Sequence, residues 1–153
     1  MLTFASALAA MSRAGVDFVV VGGLAVAKAG YARTTIDVDV LVEPSPDNLR
    51  RLIDTLATFG SGAAAELSPA DFPAEEGAVR VAEDFDIDVF TQMSGRSFAD
   101  LLPLCDLHEM DGEPVHFLGA EGLILLKADS LRPRDQLDVH ALRRILDGLD
   151  PNA

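Results

Sequence analysis

Two aspartates two positions apart, Asp37 and Asp39, stand inside the apolar run Ile36-Asp37-Val38-Asp39-Val40-Leu41-Val42. On a strand, side chains at i and i+2 share a face and lie about 7 Å apart along it. Two carboxylates held that way suit a hard divalent cation that bridges to phosphate oxygens. Val38, Ile36, Val40 and Val42 then point the other way, into a core. Upstream, Val19-Val20-Val21 runs into the pair Gly22-Gly23. A strand-glycine-helix junction lets backbone N–H groups at a helix start approach an anion closely. Between the two features, Arg33 offers a guanidinium fork for a phosphate chain. Thr35 alternates to the same side as Asp37 and Asp39.

The elements needed to position these residues follow from pattern. Thr3 caps a first helix with Phe4, Leu8 and Met11 at helical spacing, ended by Gly15. Asp17 to Val21 reads as a buried strand, Leu24 to Ala29 as a short helix closed by Gly30, and the strand carrying Asp37 and Asp39 ends at Glu43-Pro44. Ser45 caps and Pro46 starts a crossover helix with Leu49, Leu52, Ile53 and Leu56 inward. Gly60 to Glu76, rich in Ala, Gly, Ser and Pro, is expected as a long irregular excursion rather than a domain linker, of a kind able to form a mobile flap. Ala78 to Ala82 and Phe85 to Thr91 read as strands, and in the second Phe85, Ile87 and Val89 alternate with Asp84, Asp86 and Asp88. Ser97 to Leu102 suggests a short helix. Cys105 to Met110 and Pro114 to Phe117 form a hairpin around Asp111-Gly112-Glu113, with His108 and His116 as a cross-strand or surface pair rather than metal ligands. Gly119 to Ser130 is an apolar helix bearing Lys127. A last helix, Pro133 to Leu149, turns Leu137, Leu142, Ile145 and Leu146 inward. The expected class is α+β (α/β): a mixed central sheet flanked by helices, with a C-terminal helical pair.

The chain has 153 residues, 49% hydrophobic, which fits one domain, 1–153, with a sheet-containing core over 1–118 and C-terminal helices over 119–150. A net charge of −13 argues against a large, sequence-independent nucleic-acid footprint. From Lys127 to Arg144, however, five basic residues face three acidic ones, an island able to meet a nucleotide tail or an RNA backbone. The single cysteine, Cys105, excludes an intramolecular disulfide and favours a reducing, cytoplasmic setting. No basic residue precedes the apolar N-terminus and Arg13 interrupts it, which argues against an export signal. No run is long enough to span a bilayer, so no membrane partner is expected.

Gly22-Gly23, a spacer ending in Ala32-Arg33-Thr34-Thr35-Ile36, then Asp37-Val38-Asp39 resembles the DNA polymerase beta-like nucleotidyltransferase superfamily. Within it the chain is most similar to the bacterial abortive-infection and toxin-antitoxin branch. That resemblance implies a polymerase-beta-like fold and a metal-dependent transfer of an NMP group from an NTP such as ATP to an acceptor, a tRNA or a protein. It implies one or two Mg²⁺ ions held by Asp37, Asp39 and a third carboxylate from a neighbouring strand. Asp88 matches that place best, with Asp86 as the fallback. The segment from Lys127 through Arg132-Pro133-Arg134-Asp135-Gln136-Leu137-Asp138 resembles that branch's C-terminal lysine and Arg-x-x-Asp region, which marks Lys127 for phosphate contact and Asp138 for positioning. Gly22, Gly23, Arg33 and Thr35 complete the implied nucleotide site. Two departures stand out: Gly23 replaces the more common serine, and the spacer is longer than in the smallest members. The short chain also implies an acceptor met through a partner protein or a homodimer. Two other readings are a nucleotide- or partner-binding module without turnover, and a transferase acting on an aminoglycoside-like small molecule near Glu75, Glu76, Glu83 and Asp84.

Overall fold

A computed structural model describes residues 2–153. It is a mixed α+β arrangement in which a six-stranded mixed sheet is flanked by helices. Helix α1 (Phe4–Arg13) starts at a capping box in which Thr3 and Ser6 satisfy each other's backbone N–H groups. Strand β1 (Phe18–Val21) is buried throughout and runs directly into α2 (Gly22–Ala29), which Gly30 closes at φ 124°. Strand β2 (Asp37–Val42) lies antiparallel to β1, with Val21 opposite Asp39. Helix α3 (Pro46–Leu56) starts at the Ser45 cap and buries Leu49, Leu52, Ile53 and Leu56. Its Asn48 is fully buried and satisfied: Nδ2 donates to the carbonyls of Asp17 and Glu43, and Oδ1 accepts from the Asp17 N–H. That side chain ties the crossover to the start of β1.

Strands β3 (Ala78–Ala82) and β4 (Asp86–Phe90) form a hairpin whose second arm pairs parallel to β2. After α4 (Phe98–Leu101), β5 (Cys105–Met110) and β6 (Glu113–Leu118) form the second hairpin, turned by Asp111 and Gly112 at positive φ. Strand β6 pairs parallel to β1. The sheet order is β3-β4-β2-β1-β6-β5, with α5 (Ala120–Lys127) and α6 (Pro133–Leu146) completing the chain. Helix α1, helix α3 and the central strands β1 and β2 share one continuous apolar core. Among the described residues, no helix is long and apolar enough to cross a membrane.

Three expectations are corrected. Ile36 is 74% exposed, because β2 begins at Asp37 and the strand's alternation does not reach back to it. Residues 60–76 do form an irregular excursion, with two short 3-10 turns, anchored where Ala64 and Phe72 are buried, Glu83 accepts from the N–H groups of Ser61 and Ala63, and Thr91 donates to the Pro73 carbonyl. Leu137, 61% exposed, and Leu146 face outward on α6. The inward stripe of α6 contains Asp135, Asp138 and Leu142, and Leu137 lies about 200° round the helix from Asp135. Two buried carboxylates thus fix the phase of that helix. His108 pairs with Val115 and His116 with Leu107, so the two histidines lie on opposite faces of the hairpin. His108 packs edge-on against Phe117.

Candidate functional site

The parallel pairing of β2 with β4 sets Asp37 beside Asp86 and Asp39 beside Asp88. Since the two strands share register and pleat, Asp37, Asp39 and Asp88 all reach the same face, and all three line a cleft of about 880 Å³. Asp86 does not line it. Gly22, Gly23, Arg33, Lys127 and Asp135 are also on the wall, together with an apolar end made by Phe90, Met93, Leu123 and Leu126. The cleft therefore joins acidic, cationic and apolar surfaces.

Gly22 sits where β1 ends, at φ 70°. A β-carbon there would fall 2.1 Å from Oδ2 of Asp39, so this position requires glycine twice over, for its left-handed backbone and for the space the carboxylate occupies. A β-carbon on Gly23 would come within 2.9 Å of a terminal nitrogen of Arg33 and 3.2 Å of Oγ1 of Thr35. The glycine pair is thus the floor on which the acidic and basic groups meet. Gly22→Ala is expected to cost about 1–3 kcal/mol in backbone strain alone and to displace Asp39. Equilibrium denaturation checks this, and a wild-type midpoint for the variant would contradict the contact.

The carboxylate cluster is electrostatically uncomfortable. Burial pushes the Asp39 carboxyl up to about 6, and the neighbouring Asp88 and Asp37 carboxylates push it the same way, against the pull of Lys127. Asp88 is itself buried, and both its oxygens accept from Arg80: Nε donates at 2.8 Å and Nη2 at 3.0 Å. Among the described residues, no three His, Cys, Asp or Glu side chains form a ready-made metal site.

The opposite wall is a buried ionic network. Arg33 Nη1 donates to both oxygens of Asp138 at 2.6 Å, and Lys127 Nζ donates to Asp135 at 2.9 Å and Asp138 at 3.0 Å. Asp138 is only 1% exposed and stands behind the wall rather than on it. Thr35 also lies off the cleft surface, with its hydroxyl donating to the Asp37 carbonyl at 3.1 Å. Arg33 Nε is buried without a hydrogen-bond partner, an unused donor beside Gly23.

Sequence reasoning did not single out Asp135 or Arg80. The first had a signal: Asp135 and Asp138 are three apart on a helix and so share a face, as two carboxylates able to hold Lys127 must. Burial alone would raise the Asp135 pKa, but hydrogen bonds from Lys127 and Ser130, with the charges of Lys127 and Arg132, hold it at about 2. Its folded value lies below the ordinary aspartate value of 3.8, so its contribution to stability is complete above about pH 4 and is lost as pH falls towards 2. Acid unfolding of the wild-type protein and Asp135→Asn checks this: the variant is less stable at pH 6, and the difference shrinks through that window.

No protein-family model and no curated protein matches this chain.

Proposed function

We propose that this chain is a metal-dependent nucleotidyltransferase of the polymerase-beta-like kind, moving an NMP group from an NTP to a tRNA or protein acceptor, as in bacterial toxin-antitoxin or phage-defence systems. The observation that carries the reading is the convergence of Asp37, Asp39 and Asp88 from two parallel strands onto one cleft, beside a glycine turn in which the missing side chain of Gly22 makes room for the Asp39 carboxylate. The donors fit Mg²⁺: they are all oxygens, and the burial and carboxylate repulsion that together raise the Asp39 pKa are what a bound divalent cation offsets. Asp37 and Asp39 would hold it, with Asp88 completing a second position. When bound, the metal offsets negative charge developing on the phosphate oxygens.

The chain's own groups supply the rest. Lys127 and Arg33, held in place by Asp135 and Asp138, face the cleft with positive charge suited to a triphosphate. The apolar end at Phe90, Met93, Leu123 and Leu126 suits a nucleobase. The acceptor hydroxyl attacks the α-phosphorus, the bond from that phosphorus to the bridging oxygen breaks, and pyrophosphate leaves with its electron pair. Asp88 takes the hydroxyl proton.

One observation favours a second reading, a nucleotide-binding module without turnover: Arg80 engages both oxygens of Asp88. Incubating the protein with Mg²⁺, α-labelled nucleoside triphosphates and tRNA or cell protein separates the two. Label transfer that disappears in Asp37→Asn supports the enzyme. Tight nucleotide binding with no transfer to any acceptor supports the module.

A further inference from the structure

Antiparallel pairing of β3 with β4 sets Arg80 directly opposite Asp88, and facing cross-strand residues share one face of the sheet. The guanidinium engages Asp88 with two of its nitrogens, and the third, Nη1, lies 3.2 Å from Oδ2 of Asp86. Asp88 is therefore shared between the cleft, which it lines, and an arginine on the neighbouring strand. Two features leave the arginine free to move. Strand β3 is the outer strand of the sheet, and the Arg80 side chain is 56% exposed. Asp86, 32% exposed, offers a second carboxylate within reach, so the guanidinium can let go of Asp88 and remain paired.

We infer that Arg80 is a movable charge lock on Asp88: while parked there it occupies the carboxylate with the positive charge a second divalent cation would bring, so the free protein takes one ion at Asp37 and Asp39 and a second only after Arg80 shifts to Asp86. This rests on the metal-dependent reading above. Arg80 touches neither phosphate nor acceptor in this scheme; it is a positioning residue acting through Asp88. The geometry of the fork matters as well as its charge, because lysine offers a single point charge and cannot grip both carboxylate oxygens at once.

Mn²⁺ binding without nucleotide, read from the electron paramagnetic resonance of the free ion, tests this in the wild-type protein, Arg80→Met and Arg80→Lys, with folding checked by circular dichroism. Over the range in which the wild-type protein takes one ion per chain, Arg80→Met is expected to take two. Its second site should be at least about tenfold tighter than the wild type's, as expected from removing a charge-assisted pair, with Arg80→Lys in between. Equal stoichiometry and affinity in wild type and Arg80→Met, whether one ion or two, overturns the lock and leaves the metal-dependent reading standing. No binding by any of the three proteins overturns both. If Arg80→Met does not fold, Arg80→Lys decides: a second site no tighter than the wild type's overturns the lock.

Discussion

Asp39→Asn is expected to abolish nucleotidyl transfer and, in the same molecule, to make the metal-free protein more stable. The loss should be about 10²–10³-fold or more, the scale of removing one group placed to act on developing charge. The gain has a separate cause. Burial, Asp88 and Asp37 hold the Asp39 carboxyl up at about 6, above the ordinary aspartate value of 3.8, so the fold prefers it protonated. The stability this gives is present below about pH 4 and is lost as pH rises through 6. At pH 7 the ionised group is a burden that a neutral amide of the same shape removes, by about 1–2 kcal/mol once solvent screening of a partly exposed group is allowed for. Thermal unfolding with a chelator present should show Asp39→Asn above the wild type at pH 7 and level with it near pH 4. Adding Mg²⁺ should raise the wild-type midpoint and leave the variant unmoved. A variant that is inactive but no more stable would mean that burial and the neighbouring carboxylates do not burden the ionised Asp39 as its placement implies.

The cleft was legible in the sequence to the extent that it depends on local periodicity. The i, i+2 aspartates on an apolar strand and the glycine pair after Val21 define positions that the backbone fixes within a few residues, and the structure brings Gly22, Gly23, Arg33, Asp37, Asp39, Asp88 and Lys127 to one wall or another of a single cleft. Register does not separate Asp88 from Asp86, which stand beside Asp39 and Asp37 on one face of the sheet; the difference is that Asp88 lines the cleft and Asp86 does not. What escaped was whatever depends on tertiary pairing. The direction of Leu137 could not be read from its own helix, because burial of Asp135 and Asp138 against Lys127 and Arg33 outweighs the pull of an apolar side chain on helix phase. Ile36 was read as core by extending the alternation one residue beyond the strand. Arg80 carried no motif at all, and only the pairing of two strands turns it from a surface arginine into the partner of Asp88. The packing of 60–76 is likewise decided at a distance, by Glu83 and by the burial of Phe72.

Asp138→Ala is expected to destabilise the fold strongly, because it removes the one group that Arg33 and Lys127 share. Asp138 receives Arg33 through both oxygens and Lys127 through one, and it is almost fully buried. Lys127 would keep Asp135, but Arg33, whose Nε already lacks a partner, would lose the ion pair that balances its charge. Breaking a buried pair by deleting one partner leaves an uncompensated charge and costs about 3–5 kcal/mol, which is a large part of a domain's usual margin. Asp138→Asn, which keeps the shape and one acceptor, should cost less. Urea unfolding of both variants against the wild type decides the matter. A midpoint for Asp138→Ala within error of the wild type would show that apolar contacts through Leu142 and Ile145 seat α6 unaided. The expected ordering, Ala below Asn below wild type, would instead make Asp138 the anchor that seats α6, aims Lys127 and Arg33 at the cleft, and so joins the C-terminal helices to the chemistry of β2 and β4.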